Sequence, residues 1–353
     1  MDTVTLSFGD NSEVTIPKIF ENYEFVRKIG YGSFSSVVLV RHLKTKEYFA
    51  CKIVSRKMLE EQQIFSRFEQ EVRLMQSFNH PYVIHTFDVV FDPQYIYIVM
   101  EYCPNGELFS YILSLVRLPE MEVNRILRQI LQALQYIHSK KVAHRDIKPE
   151  NILLDSHMDI RLSDFGLCKE MSHGSLLKTP CGSPFYAPPE IINNDKYDGV
   201  KSDIWSLGVV VFTMSTGALP WSHTNHAQLF KQITTTDVTV PQGLSPPLRQ
   251  IITLMLQRDP NARPTPTELL AMPWLADDSS IDSTPTPLRR RYSSDNTAYA
   301  RKLGTADHRL QRKSLVIRPE NMITPQETMN LAIRKVPKLT KPEPYRTVIS
   351  QMF

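Results

Sequence analysis

The sequence predicts an α+β chain of two unequal lobes followed by a polar C-terminal tail, and three observations carry that prediction. Between residues 23 and 100, five strand-like runs (24–30, 36–42, 48–55, 84–91 and 95–100) surround one helical stretch near 62–77. After Pro104-Asn105-Gly106 the apolar residues switch to helical spacing and keep it as far as Pro273-Trp274. From residue 276 onward periodicity disappears into Ser, Thr, Pro, Arg and Lys.

In chain order, residues 1–22 read as a short leader with room for one extra strand. The small lobe is expected at about 23–100, a hinge at 101–106 and the large lobe at 107–275. Pro119 suits a first helical turn, and Glu120 and Glu122 suit its positive end. Val123, Ile126, Leu127, Ile130, Leu131, Leu134 and Ile137 then mark one buried helical face. Residues 200–214 are apolar on nearly every side, the pattern of a central buried helix. Helices near 225–233, 246–256 and 265–272 complete the lobe. The tail, 276–353, is predicted to be largely disordered, with a short helical piece near 328–336.

Composition narrows the function classes. The chain has 353 residues and is 42% hydrophobic, enough for a sizeable core. No apolar run approaches the roughly 18 residues of a membrane span, and the start has neither a basic n-region nor an apolar h-region. Cys51, Cys103, Cys168 and Cys181 form no C-x-x-C pair, so they read as reduced thiols rather than a zinc site. Residues 277–353 hold 14 Lys+Arg against 8 Asp+Glu in a chain of net charge +4, so the lobes are near neutral and the tail is basic. Nucleic acid is therefore not an expected partner.

The chemistry concentrates in one stretch. His144-Arg145-Asp146 precedes Lys148 and Asn151, and Asp164-Phe165-Gly166 follows. Asp146 can orient and deprotonate an attacking hydroxyl. Asn151 and Asp164 offer oxygen ligands suited to magnesium. Lys148 can neutralise charge on a moving phosphoryl group. Upstream, Ile29-Gly30-Tyr31-Gly32-Ser33-Phe34-Ser35-Ser36-Val37 reads as a hairpin whose glycines admit a phosphate. Lys52 sits inside the apolar run Phe49-Ala50-Cys51-Lys52-Ile53-Val54, where an ammonium needs a partner.

Together these motifs resemble eukaryotic protein kinases over about residues 23–275. The resemblance implies the bilobal kinase fold, with ATP and Mg2+ as cofactors. It makes Asp146 the catalytic base, Lys52 the phosphate grip and Glu71 its partner on the small lobe's helix, with Glu69 the alternative. The adenine walls would be Ile29, Val37, Ala50, Met100 and Leu153, with Glu101-Tyr102-Cys103 as the hinge and Glu107 at the ribose. Two departures stand out: the third loop glycine is Ser35, and the usual Ala-Pro-Glu becomes Pro188-Pro189-Glu190. Glu190 should pair with Arg263, and Asp203 should brace the catalytic loop. Thr179 matches the activating phosphosite, facing Arg145, and implies an upstream kinase.

Lys148 and Ser183 match serine/threonine rather than tyrosine kinases. Glu107 and Glu150 resemble the acids that read an arginine three residues before the target. The acid that reads a second arginine is replaced by Thr213. Tyr97-Ile98-Val99-Met100-Glu101-Tyr102, Pro149-Glu150-Asn151-Ile152-Leu153-Leu154 and Cys181-Gly182-Ser183-Pro184 are similar to the calmodulin-dependent and AMP-activated-like group. The expectation is a monomeric intracellular enzyme, cytoplasmic or nuclear, acting on proteins with basic residues upstream of Ser/Thr. The alternative is a nucleotide-binding scaffold of the pseudokinase type, which usually lacks Lys52, Asp146 or Asp164; all three are present. Ser293 and Ser294 each have an arginine three residues earlier and are candidate autophosphorylation sites.

Overall fold

A computed structural model describes residues 2–7, 13–32, 35–61, 65–165, 169–170, 176–177, 182–223 and 225–276. Ser33, Phe34, Gly166, Cys168, Thr179, Cys181 and the whole tail from 277, with Ser293 and Ser294, lie outside the described residues.

The small lobe is an antiparallel sheet that contains the five strands expected between residues 23 and 100, extended at one edge by a two-residue strand from the leader. In chain order they are β3 (Ile19–Phe20), β4 (Tyr23–Gly32), β5 (Ser35–His42), β6 (Tyr48–Ser55), β7 (Thr86–Phe91) and β8 (Tyr95–Met100), and they pair as β3-β4-β5-β6-β8-β7. The leader also forms a separate hairpin, β1 (Thr3–Ser7) with β2 (Glu13–Pro17). Side chains alternate across a strand, and the sheet shows it. Cys51, Ile53, Tyr97 and Val99 face outward, where Leu6, Ile16 and Phe20 from the leader cover them. Val54, Ile96 and Ile98 face inward, against Leu59, Phe68, Val72 and Met75. Those four come from α1 (Arg56–Glu61) and α2 (Phe65–Ser77), and α2 is the described part of the helix expected near 62–77.

The large lobe is helical, with α3 (Leu108–Leu115), α4 (Glu120–Ser139), α5 (Pro189–Ile192), α6 (Gly199–Thr216), α7 (His226–Thr235), α8 (Pro246–Met255) and α9 (Pro266–Leu270). Pro119 caps α4 rather than opening it, and the seven apolar residues expected on one face are all buried. Helix α6 is buried on nearly every side, started by the Asp198 carboxylate accepting from Val200 N–H. It can approach α8 because Gly208 has no Cβ; an added one would lie 2.9 Å from Met255 and Leu256. Short pairs β9 (Val142–Ala143) with β12 (Lys169–Glu170), and β10 (Ile152–Leu154) with β11 (Ile160–Leu162), frame the loops that carry the site.

Candidate active site

The floor of the site is set by one fully buried carboxylate. Asp203, on α6, is 0% exposed. It accepts the backbone N–H of His144 (2.9 Å) and of Arg145 (2.8 Å), and lies 2.8 Å from His138 Nε2 on α4. These bonds hold Arg145 at φ +68°, a left-handed conformation that a non-glycine residue keeps only when its surroundings dictate it. His144 adds a second constraint. Its Nε2 donates to the Ser163 carbonyl at 3.0 Å, which leaves Nδ1 to accept Asp146 N–H at 3.3 Å. The loop is thereby fixed from below before Asp146 is presented.

Around the Asp146 carboxylate the structure gathers three of the expected residues. Lys148 Nζ lies 2.7 Å from Oδ2. Ser183 donates both its N–H and its hydroxyl to Oδ1, each at 3.1 Å, while Lys148 donates to the same hydroxyl oxygen at 3.0 Å. Asn151 Nδ2 donates at 2.9 Å to both the Asp146 carbonyl and Oδ2. Ser183 reaches this position because Gly182 takes φ +97° against the catalytic loop. An added Cβ would sit 2.7 Å from the Arg145 carbonyl.

Above this lies a cleft of about 480 Å³ between the sheet and the large lobe. Ile29, Gly30, Ser35, Val37, Ala50, Lys52, Met100, Glu101, Cys103, Glu107, Leu153 and Asp164 line it, together with Glu71. Ser36 does not. It follows the strand alternation to the opposite side of β5 and is buried, its hydroxyl 3.5 Å from the Gly30 carbonyl. For Tyr31 and Gly32 only the backbone pairing with Ser36 and Ser35 is described.

Lys52 Nζ is 3.8 Å from Asp164 Oδ1. Burial pulls the ammonium pKa down, but Asp164 and then Glu71 outweigh it, so the net direction is upward and the lysine stays charged. Glu69, the alternative partner, instead pairs with Arg73 at 2.8 Å on the exposed side of α2. Asp164 takes φ +60°, and the next residue, Phe165, packs between Phe78 (4.9 Å) and His144 (5.0 Å).

The oxygen donors suit a magnesium ion shared with a ligand. Asn151 commits its amide nitrogen to Asp146, leaving the amide oxygen for a cation. Its carbonyl accepts Ser163 N–H and Oγ at 2.9 and 3.0 Å, which brings Asn151 beside the Asp164 segment. Among the described residues no group of three or more His, Cys, Asp or Glu is arranged to hold a metal ion by itself. Two protein oxygens fit a cation that keeps waters and phosphate oxygens in its shell.

Two acids lie close enough to repel each other, and one of them, Glu107, lines the cleft. Glu107 precedes α3 and Glu150 lies in the 3-10 turn Pro149–Asn151. Desolvation raises both carboxyl pKa values, and Glu150 pushes Glu107 further up. Glu150 Oε2 is buried without a hydrogen-bond partner. Such a pair is completed by a cation with several donors.

Glu190 and Arg263 pair at 2.6 and 2.8 Å, deep in the large lobe. Sequence reasoning missed three other residues. Tyr197 exchanges two backbone hydrogen bonds with Leu177 and accepts from Arg145 Nη1 at 3.3 Å. Arg161 and Asp155 tie the hinge to the β10–β11 turn. A charged residue inside the short apolar run Ile160–Leu162 was the available signal for Arg161.

Comparison with known proteins agrees with this geometry. The chain is 41% identical over 254 residues to serine/threonine protein kinase OSK3 of Oryza sativa subsp. indica, covering 72% of this chain and 50% of that protein. It is 40% identical over 246 residues to the SNF1-like protein kinase ssp2 of Schizosaccharomyces pombe, covering 70% and 42%. It is 39% identical over 267 residues to the SNF1-related protein kinase catalytic subunit alpha KIN12 of Arabidopsis thaliana, covering 75% and 54%. The chain thus spans about half the length of the curated relatives it matches. The family model described as protein kinase domain matches residues 23–275, the span of both lobes and the hinge, and the chain belongs to that family.

Proposed function

We propose that this chain is an ATP-dependent protein serine/threonine kinase. The observation that carries the reading is the triangle of Asp146, Lys148 and Ser183, in which a carboxylate, an ammonium and a hydroxyl meet within 3.1 Å. A substrate hydroxyl in the place of the Ser183 hydroxyl would pass its proton to Asp146 as it attacks the γ-phosphorus, and the bond from that phosphorus to the β–γ bridging oxygen would break to release ADP. Lys148 would steady the negative charge that develops. Lys52 would hold the α- and β-phosphates, with Glu71 and Asp164 keeping it charged. Magnesium, when bound, neutralises phosphate charge, and Asn151 and Asp164 are the residues that would hold it. The scaffold alternative gains no support: Lys52, Asp146 and Asp164 are all present, and the contacts of Lys52 with Asp164 and of Lys148 with Asp146 favour the enzyme reading.

The test is phosphate transfer from ATP and magnesium to a basic peptide by the purified chain. Asp146→Ala should abolish transfer and leave nucleotide affinity within a few-fold. A variant that keeps the parent rate would overturn the reading.

For substrates, the paired carboxylates of Glu107 and Glu150 favour an arginine three residues before the target. No second arginine is expected, because Thr213 is buried with its hydroxyl turned to the Val209 carbonyl. A peptide array showing no loss when the −3 arginine is replaced would sink this. Thr179 is the proposed site for an upstream kinase, its phosphate drawn to Arg145. No described helix is long and apolar enough to cross a membrane. The free buried thiols of Cys51 and Cys103 favour a reducing compartment, the cytoplasm or nucleus.

A further inference from the structure

The hinge is fastened to the large lobe at two points, and both fastenings meet in one turn. At its first residue, the Glu101 carboxylate accepts Arg161 Nε at 2.7 and 2.8 Å. The same guanidinium reaches on with Nη2 to Asp155 Oδ2 at 3.0 Å. At the hinge's fifth residue, Asn105 Nδ2 donates to the Asp155 carbonyl at 2.6 Å. Asp155 is itself immobilised, its Oδ1 accepting the N–H groups of His157 (2.8 Å) and Asp159 (2.9 Å). The side chains of Arg161, Glu101 and Asp155 are only 16%, 23% and 9% exposed, so solvent does little to loosen the arrangement. Arg161 is absent from the cleft lining, whereas Glu101, Tyr102, Cys103 and Gly106 line it.

We infer that Arg161 is a positioning residue for nucleotide binding, acting through Glu101 to hold the hinge backbone at the spacing a purine requires. The inference rests on the cleft being the nucleotide site. The base would be read by backbone N–H and C=O groups of the hinge, whose placement must hold to within a few tenths of an ångström. Arg161 serves Glu101 from Nε and Asp155 from Nη2, two nitrogens held apart in one rigid plane; a lysine's donors all radiate from a single nitrogen and do not reproduce that spacing. Without Arg161 the two carboxylates lose their shared counter-charge and the hinge is free to shift. The reacting groups at Asp146 belong to a different loop and would not move with it. Loss of Arg161 should therefore weaken ATP binding more than it slows the chemical step.

The test uses the full chain. Arg161→Met should raise the KM for ATP and the Kd for ADP by about tenfold, with kcat within about twofold and the KM for peptide unchanged. In a Glu101→Ala background, which has already lost the contact, Arg161→Met should add less than about twofold, because residues acting through one another are not additive. Should Arg161→Met fail to fold, Arg161→Lys is read instead, with an expected rise of about three- to fivefold. A KM for ATP equal to the parent's, a fall in kcat alone, or losses that multiply in the double variant would each overturn the inference. Ala50→Trp, which fills the cleft, separates the premises. If it leaves ADP affinity intact, the cleft is not the nucleotide site. If it abolishes affinity while Arg161→Met does not weaken it, only the role of Arg161 fails.

Discussion

Arg263 donates to both carboxylate oxygens of Glu190, at 2.6 and 2.8 Å, and spends its remaining N–H groups on the carbonyls of Gln257, Lys201 and Arg258. Its guanidinium also lies 5.0 Å from the centre of the Trp205 ring. Removing one partner would leave a buried charge with nothing opposite it, which costs about 3–5 kcal/mol. Glu190→Gln or Arg263→Met should thus lower the unfolding midpoint by roughly 10 °C in a thermal scan. A shift under about 2 °C would show that the pair contributes nothing net.

Gly182 controls how close Ser183 comes to Asp146. In Gly182→Ala the new methyl meets the Arg145 carbonyl at 2.7 Å on a residue already at φ +97°, so the segment must withdraw. The Ser183 hydroxyl would leave Asp146, and kcat should fall by about tenfold or more with the KM for ATP unchanged. Steady-state kinetics against both substrates would show it.

The acid pair gives a pH dependence. A carboxyl whose pKa is raised by folding binds its proton more tightly in the native chain, so Glu107 and Glu150 favour the fold at low pH and oppose it once ionised. Arginine recognition needs the ionised forms. Preference for arginine over alanine at −3 should therefore decline on acidification, starting above the ordinary carboxylate pKa of about 4.3. Glu150→Gln should reduce that preference by about tenfold or more while leaving thermal stability equal or higher. A matching loss of stability would contradict this account.

Tyr197 links the arginine of the catalytic loop to the segment that carries Thr179. Tyr197→Phe removes only the hydroxyl that Arg145 contacts at 3.3 Å. A bond of that kind is worth about 1 kcal/mol, so kcat should fall about fivefold. The loss should shrink when Thr179 is phosphorylated, because the phosphate would then engage Arg145. An equal loss in both forms would argue for a packing role alone.

The site residues that were legible in the sequence are those whose chemistry fixes their spacing. Asp146, Lys148 and Asn151 meet around one carboxylate from a single short loop, so they stand together in the sequence as a motif. Helix α4 was legible because its seven apolar residues bury one face over 20 residues. Ser36 was misplaced because a loop motif gives contiguous residues, while a strand sends alternate side chains to opposite faces. The β1–β2 hairpin was missed because Val4, Leu6, Val14 and Ile16 alternate over only five residues a strand, too few to separate from chance. Arg161 offered only a lone charge in a short apolar run and Asp155 offered no signal, since their hinge partners Glu101 and Asn105 lie 60 and 50 residues away.

The leader strands raise a practical matter about where the molecule can be cut. The family's recognisable span opens at Tyr23, yet Leu6, Ile16 and Phe20 shield the back of the sheet upstream of that point. A shortened version starting at Tyr23 would bare a greasy plate made of Val38, Val40, Ile53 and Val99, and should precipitate or pair with itself through that plate. The smallest piece that folds cleanly is therefore longer than the smallest piece that can be recognised.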